Sequence, residues 1–371
     1  MIAGIKRKVI LNLKNIPGWK TKRRIVVFES DDWGSLRIKS EAALDRLIEA
    51  GVLQKRKGAF DSLDSMESKE DMTALFEVLS SVKDFKGRNA VFTPFVNLTN
   101  PDFEAIKSSG FTTYSYKRFT ETMRDLGNEE AFGEYQNGIS SSIFLPEYHG
   151  REHLNVASWM EMLKKGEPKV LEGFKNEFTS VNLPESSKFL KSFRQTYFYR
   201  NPSEVPFLQK SIREGAEIFE QMFGYRTTVF DAPNAIFHPD LEETLQEVGI
   251  KNIVLQRLRM EPDGKGGANT SYYKFGQKNK WGQIYHIRNC MFEPFMSFGE
   301  DACLGMINAA FRWGKPAIVT THRVNYMGGI DKTNRDRSLK NLITLLKTIL
   351  KKWPDAEFMS SGEFARLMHN K

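Results

Sequence analysis

Asp31 and Asp32 stand side by side where the strongest apolar run of the chain, Ile25-Val26-Val27-Phe28-Glu29-Ser30, stops. A β-branched apolar run reads as a buried strand, and Trp33-Gly34 as the turn leaving it. Adjacent carboxylates raise each other's pKa, a cost that a metal ion or a proton-transfer role would justify. A solvated turn or a helix N-cap also uses Asp, so the pair acquires meaning only beside other strand ends. His149-Gly150-Arg151-Glu152-His153 follows an expected strand over 141–146. Two histidines with one carboxylate are a frequent zinc set that leaves a position open for water, although surface histidines also fall at that spacing by chance. If the segment began a helix, the i,i+4 spacing would put both imidazoles on one face. His322 ends the run Ala317-Ile318-Val319-Thr320-Thr321; a buried histidine satisfied by one hydrogen bond is the plain alternative. Asp231, in Phe230-Asp231-Ala232-Pro233-Asn234, and Arg288, after Tyr285-His286-Ile287, end two more strands. Polar groups at so many expected strand ends describe a pocket.

The elements that must position these groups alternate along the chain. Strands are expected at 25–30, 89–97, 111–116, 141–146, 227–231, 252–255, 284–288, 316–321 and 357–359. Helices are expected from Ser40 to Ala50, over 68–82, after Pro101, from a Ser203 cap to Gly224, from Pro239 to Gly249, and over 299–313 and 338–352. A polar stretch near 126–140 and an irregular, insertion-like stretch at 166–202 interrupt the pattern. Such alternation implies an α/β fold with a mostly parallel sheet and helices outside it, and so many units favour a closed or nearly closed barrel over an open sheet. Residues 1–23 read as a basic arm and 24–371 as one barrel domain carrying the insertion.

With 40% hydrophobic residues and 28 Phe in 371, the chain can build a sizeable core. Its two cysteines, Cys290 and Cys303, form no CxxC pair, which fits a reducing compartment and speaks against a cysteine-based zinc site. No run approaches the ~20 apolar residues of a membrane span, and Val9–Leu13 is too short for a signal-peptide core, so a cytoplasmic location is expected. The net charge of +8 resides in residues 1–24, which hold eight basic and no acidic side chains. The remainder, with 46 basic against 46 acidic residues, offers no nucleic-acid-binding stripe. Interleaved with Ile2, Ile5, Val9, Ile10, Leu13 and Ile16, the arm's charges suit a basic amphipathic helix at a membrane surface; an ordinary first helix covering the bottom of the domain is the plainer reading.

The order of these motifs resembles the polysaccharide deacetylases, carbohydrate esterase family four, including chitooligosaccharide and peptidoglycan deacetylases. Ser30-Asp31-Asp32-Trp33-Gly34 is similar to the family's Asp-Asp-Gly motif with an inserted Trp, His149–His153 to its metal-binding histidines, and Thr320-Thr321-His322 to its late Leu-x-His. The resemblance implies a distorted (β/α) barrel of about seven parallel strands. It also implies a hydrolase of non-peptide C–N bonds that removes an acetyl group, N-acetyl before O-acetyl, from a sugar, glycan or lipid-linked precursor. Asp32, His149 and His153 would hold a divalent metal, most often Zn2+; Asp31 would be the general base for the metal-bound water and His322 the general acid for the departing amine. Where the family carries Arg-x-Pro-Tyr, this chain has Asp231-Ala232-Pro233-Asn234, a reversal of charge. Arg288 is therefore the candidate to orient Asp31, and Glu293 the candidate partner of His322. Trp33, Asp231, Pro233 and Asn234 complete the set expected to bind or orient substrate.

Two rival readings exist. His149–His153 also fits H-x-x-E-H, the inverted zincin signature, with Glu152 as base and Glu217 or Glu220 as third ligand. A non-catalytic glycan-binding barrel would use Trp33, Trp159, Tyr148, Phe295 and Tyr326 to stack on sugar rings.

Overall fold

A computed structural model describes residues 9–54, 60–182, 190 and 192–370. Its strands are β1 (Arg24–Trp33), β2 (Phe92–Asn97), β3 (Thr99–Pro101), β4 (Tyr116–Arg118), β5 (Glu147–Gly150), β6 (Val229–Asp231), β7 (Asn252–Leu255), β8 (Leu258–Pro262), β9 (Ala268–Tyr272), β10 (Ile284–Ile287), β11 (Cys290–Met291), β12 (Ala317–His322) and β13 (Ala356–Phe358). The main sheet has nine strands in the order β10-β7-β6-β5-β2-β1-β12-β11, with β13 paired to the start of β1. Every pair in it is parallel.

The sheet curls into a distorted barrel, and two observations require it. The first and last strands of the order, β10 and β11, are separated in the chain only by Arg288-Asn289. Glu29 on β1 also meets His286 on β10 at 2.7 Å, although four strands lie between them in the sheet. Read from β1, the strands follow one another around the ring in chain order, and its one break in hydrogen bonding lies between β10 and β11. Residues 9–19 sit at that break. Asn289 donates to Asn15 Oδ1 at 3.0 Å, Trp313 Nε1 to Asn12 Oδ1 at 3.0 Å, Trp19 N to Phe275 O at 2.7 Å, and Lys315 to the Gly18 carbonyl at 2.6 Å. The arm therefore closes the seam of the barrel instead of covering its bottom; residues 1–8 lie outside the described ones.

Local chemistry explains the elements. Ile25–Phe28 are wholly buried, as a central parallel strand demands. Ser68 and Ser360 each close a capping box, with Asp71 and Glu363, at the starts of helices Lys69–Ser80 and Ser361–His369. Gly224, at φ 77°, stops the helix Val205–Phe223. Asn201, and not Ser203, caps the 3-10 turn Pro202–Glu204 that leads into it. Among the described residues no helix is long and apolar enough to cross a membrane.

Several expectations are corrected. The stretch near 126–140 contains the helix Glu130–Ser140, whose Ala131, Tyr135 and Gly138 face the core. The stretch at 166–202 holds the helix Pro168–Lys175, and the strand expected over 111–116 lies at Tyr116–Arg118. The strand expected over 141–146 starts later, at Glu147, because Ser142 takes a left-handed φ of 56° and Phe144 makes only one bridge to Phe92. His149 thus lies on a strand, not a helix. The antiparallel hairpin β8–β9 and the short β11 carry too little alternation to be legible. With β11 and β13 the parallel strands exceed the seven expected.

Gly138 is required by packing: a Cβ there would lie 2.6 Å from Phe144 Cβ and 2.7 Å from Phe76 Cζ. Gly138→Ala should cost about 1–3 kcal/mol of stability by overpacking, seen as a lower urea midpoint with an unchanged m-value.

Candidate metal and acid-base site

Asp31 and Asp32 leave β1 in different directions. In a regular strand neighbouring side chains point to opposite faces, which would send one of them out of the barrel. Here Asp32 takes a left-handed φ of 73° and the register with β2 shifts between Ser30 and Trp33, so both carboxylates stay in the cavity. A non-glycine residue in that region costs on the order of 1–2 kcal/mol, and such strain concentrates at functional sites. Gly34, at φ 75°, completes the turn where any Cβ would strike the Asn97 carbonyl at 2.3 Å.

Asp31 is gripped by Arg288. Nη1 and Nη2 donate to its two oxygens at 2.6 and 2.7 Å, while Nε donates to Glu29 Oε2 at 2.8 Å. Glu29 is itself fixed by His286 Nε2 and Ser361 Oγ, each 2.7 Å from Oε1. Burial works against the Glu29 anion, yet His286 and Arg288 overcome it and hold its pKa at about 2. His322 lies opposite Asp31 in the β1–β12 register, with Nε2 3.7 Å from Asp31 Oδ2. Its Nδ1–H donates to Glu293 Oε1 at 2.6 Å, and Asn325 holds the other Glu293 oxygen at 2.7 Å. Burial opposes the imidazolium, but Glu293 outweighs it and lifts His322 to about 10, so the ring is protonated at neutral pH.

Asp32 faces the histidines. Its Oδ1 lies 3.1 Å from His153 Nε2 and 3.6 Å from His149 Nε2, and Arg37 Nη2 holds Oδ2 at 3.0 Å. Despite burial, Arg37 and His153 keep Asp32 well below the ordinary carboxylate range. Burial holds His153 down to about 4 against the lift from Asp32. His149 Nδ1 is 2.9 Å from the Asp231 carbonyl, which can only accept, so Nδ1 carries a proton and Nε2 is the atom turned toward Asp32; burial lowers the His149 pKa, but the hydrogen bond to Asp32, with Asp231 beside it, outweighs burial and raises it. In the metal-free site a proton on Nε2 meets the Asp32 oxygen, and a divalent cation bound there would take its place. One oxygen and two nitrogens, all within 4.8 Å, suit zinc, cobalt, nickel or iron. Asp31, His149 and Asp231 form a second such cluster, but Arg288 occupies both Asp31 oxygens and the Nδ1 proton is committed. Asp32, His149 and His153 are therefore the candidate donor set, and Arg288 holds Asp31 apart from it.

The other expected residues divide. Asp231, Asn234, Arg288 and Glu293 line a cavity of about 890 Å³ with Asp31, Asp32 and His322. Burial, with Arg288 opposing and Asp31 reinforcing, raises Asp231 to about 7. Trp33 does not reach the cavity: its ring is fully buried against Phe144 and Tyr135, and Nε1 donates to Ser30 Oγ. The reversed backbone at Asp32 turns it into the core. Pro233 is buried and opens the 3-10 turn Pro233–Ala235 without lining the cavity. Trp159, Tyr148 and Tyr326, expected to stack on sugars, are wholly buried. The inverted-zincin reading fails: β5 ends at Gly150, Glu152 pairs with Arg151 at 2.6 Å, and Glu217 and Glu220 engage Gln221 and Arg226 on an exposed face. Glu29, His286 and Arg37 were missed, although a glutamate closing a buried apolar run is itself a signal.

No protein-family model matches the chain, and no curated protein matches its sequence. Among solved structures, it aligns with a Mycobacterium smegmatis protein described as a polysaccharide deacetylase at 12% identity and TM-score 0.44, over 95% of this chain and 93% of that one. Peptidoglycan deacetylase PdaC of Bacillus subtilis aligns at 8% identity and TM-score 0.36, over 94% and 92%. A 4-alpha-glucanotransferase of Thermococcus litoralis aligns at 9% and 0.46, over 93% of this chain and 40% of that one. At such values the functional reading stands on the geometry of the site alone.

Proposed function

We propose that the chain is a metal-dependent carbohydrate deacetylase of the polysaccharide deacetylase type, hydrolysing an N-acetyl group on a sugar, glycan or lipid-linked precursor in the cytoplasm. The observation that carries this reading is the division of labour at the end of β1: Asp32 faces two histidines, while Asp31 is held by Arg288 beside His322. The two cysteines, both buried and unpaired, support a reducing compartment.

A divalent cation held by Asp32, His149 and His153, most simply Zn2+, would supply Lewis acidity to the acyl carbonyl and to a water molecule. Asp31 takes the proton from the attacking water. The bidentate grip of Arg288 aims its oxygens, replacing the arginine that the Asp231 position lacks. His322, already protonated, delivers its proton to the departing amine nitrogen, and Glu293 holds the ring by Nδ1 so that Nε2 points at the leaving group. Asp231 and Asn234 line the wall on which the sugar is oriented.

Asp31→Asn should lower acetate release from N-acetylated oligosaccharides by about 10²–10⁴-fold while retaining bound metal; Asp32→Ala should lose the metal as measured by elemental analysis. Unchanged acetate release in Asp31→Asn would instead indicate a glycan-binding barrel without catalysis. The general acid must be protonated, so kcat/KM should persist up to the His322 pKa of about 10 and fall above it. Glu293→Gln removes the group that raises it, and the alkaline limb should move down toward roughly 6.5, the unperturbed histidine value. An alkaline limb that stays in place in Glu293→Gln would remove His322 from the acid role.

A further inference from the structure

A second buried ion network starts and finishes on the turn that ends β1. Arg37 Nη2 donates to Asp32 Oδ2 at 3.0 Å, and Arg37 Nε lies 3.5 Å from Asp64 Oδ2. The other Asp64 oxygen accepts from Arg323 Nε at 3.0 Å, and Arg323 Nη1 donates to Glu67 Oε2 at 2.8 Å. Glu67 Oε1 in turn accepts from the Gly34 amide at 3.0 Å and from the Tyr135 hydroxyl at 2.5 Å. A closed path thus runs from Asp32 through Arg37, Asp64, Arg323 and Glu67 back to Gly34. The side chains of Asp64, Glu67 and Arg323 are wholly buried, and that of Arg37 is 5% exposed. The path also touches the acid side of the site. Arg323 is the residue after His322, and the Phe60 ring packs 5.4 Å from Arg37 Cζ and 4.9 Å from the His322 ring.

Such a network is a poor source of stability. Buried arginines and carboxylates carry a desolvation cost that apolar side chains of like volume avoid, and what they supply in return is fixed geometry. Here the geometry is that of Asp32. A carboxylate without a partner turns about its Cβ–Cγ bond and can offer a cation either oxygen or both. With Oδ2 held by Arg37, Oδ1 alone faces His153 and His149, at 3.1 and 3.6 Å. The same path ties down a turn whose Asp32 sits at a left-handed φ of 73°. As a bare charge Arg37 would oppose a divalent cation at this place, so its use there lies in the hold. We infer that Arg37 is a positioning residue of the candidate metal centre, anchored through Asp64, Arg323 and Glu67 so that Asp32 presents a single oxygen. The inference rests on the metal-dependent deacetylase reading, in which Asp32 is a ligand; the family motifs that this chain resembles include no counterpart of Arg37.

The test is the Zn2+ affinity of the metal-free full chain, measured by competition with a chromophoric chelator. Wild type, Arg37→Met and Arg37→Lys are compared, with circular dichroism to verify folding. Removing a nearby positive charge by itself tightens zinc binding, so weaker binding is the signature of lost position. Arg37→Met is expected to bind zinc about 10–100-fold more weakly, the range for a lost outer-shell partner, and the deficit should persist as the pH is raised. Arg37→Lys keeps the charge but replaces the planar fork by a single point, and it should weaken binding in the same direction; it decides alone if Arg37→Met does not fold. Unchanged or tighter binding in Arg37→Met would overturn the proposal. Wild-type affinity in Arg37→Lys would assign the effect to charge and overturn it too, as would a deficit that closes at higher pH, which belongs to protonation of Asp32. A wild-type chain that binds no zinc strikes the deacetylase reading and the proposal with it, whereas zinc held equally by all three chains strikes the proposal alone.

Discussion

The hold of Arg288 on two buried carboxylates is the interaction on which the site depends. Glu29 and Asp31 are alternate residues of one strand, so their side chains share a face, and both would be expelled from a low-dielectric interior without a counterion. One guanidinium satisfies them together, two nitrogens on Asp31 and one on Glu29. His286 and Ser361 complete the accounting for Glu29. The arrangement costs desolvation of every member, which is why such a network is weak evidence for stability and strong evidence for specification of geometry. Its geometric product is an Asp31 whose oxygens have one orientation.

That same charge balance explains Asp231. Burial outweighs the pull of Arg288, 3.5 Å away, and with Asp31 reinforcing it raises Asp231 to about 7. The departure that looked like a charge reversal at an arginine position is thus tolerated electrostatically, because Asp231 need not be fully ionised. Its backbone meanwhile serves His149 by accepting from Nδ1.

Strand-end chemistry was the legible part of this chain. Asp31, Asp32, His322 and Arg288 all end or follow runs whose apolar composition marks them as strands, while Arg288 and Glu293 find their partners only as candidates for roles the family resemblance leaves open. What escaped reading depends on backbone angles that composition does not reveal. The left-handed Asp32 sends Trp33 inward, and the left-handed Ser142 delays β5 by several residues. Glu29 and His286 pair across strands far apart in the sheet, a contact visible only once the barrel has curled. The hairpin β8–β9 is half exposed and mixed in character, so its period of two never separates from noise.

The arm at the seam also sets a timetable for biosynthesis. Asn15 is joined to Asn289 across 274 residues, so the segment around it waits for strands made much later before it has that partner. At roughly 5–20 residues per second the interval is on the order of 15 to 55 seconds. Through it, a basic, apolar segment stays free while the first strands of the ring are made. Closure of the barrel is consequently a late, long-range event of the kind that folds slowly, and residues 9–19 finish it.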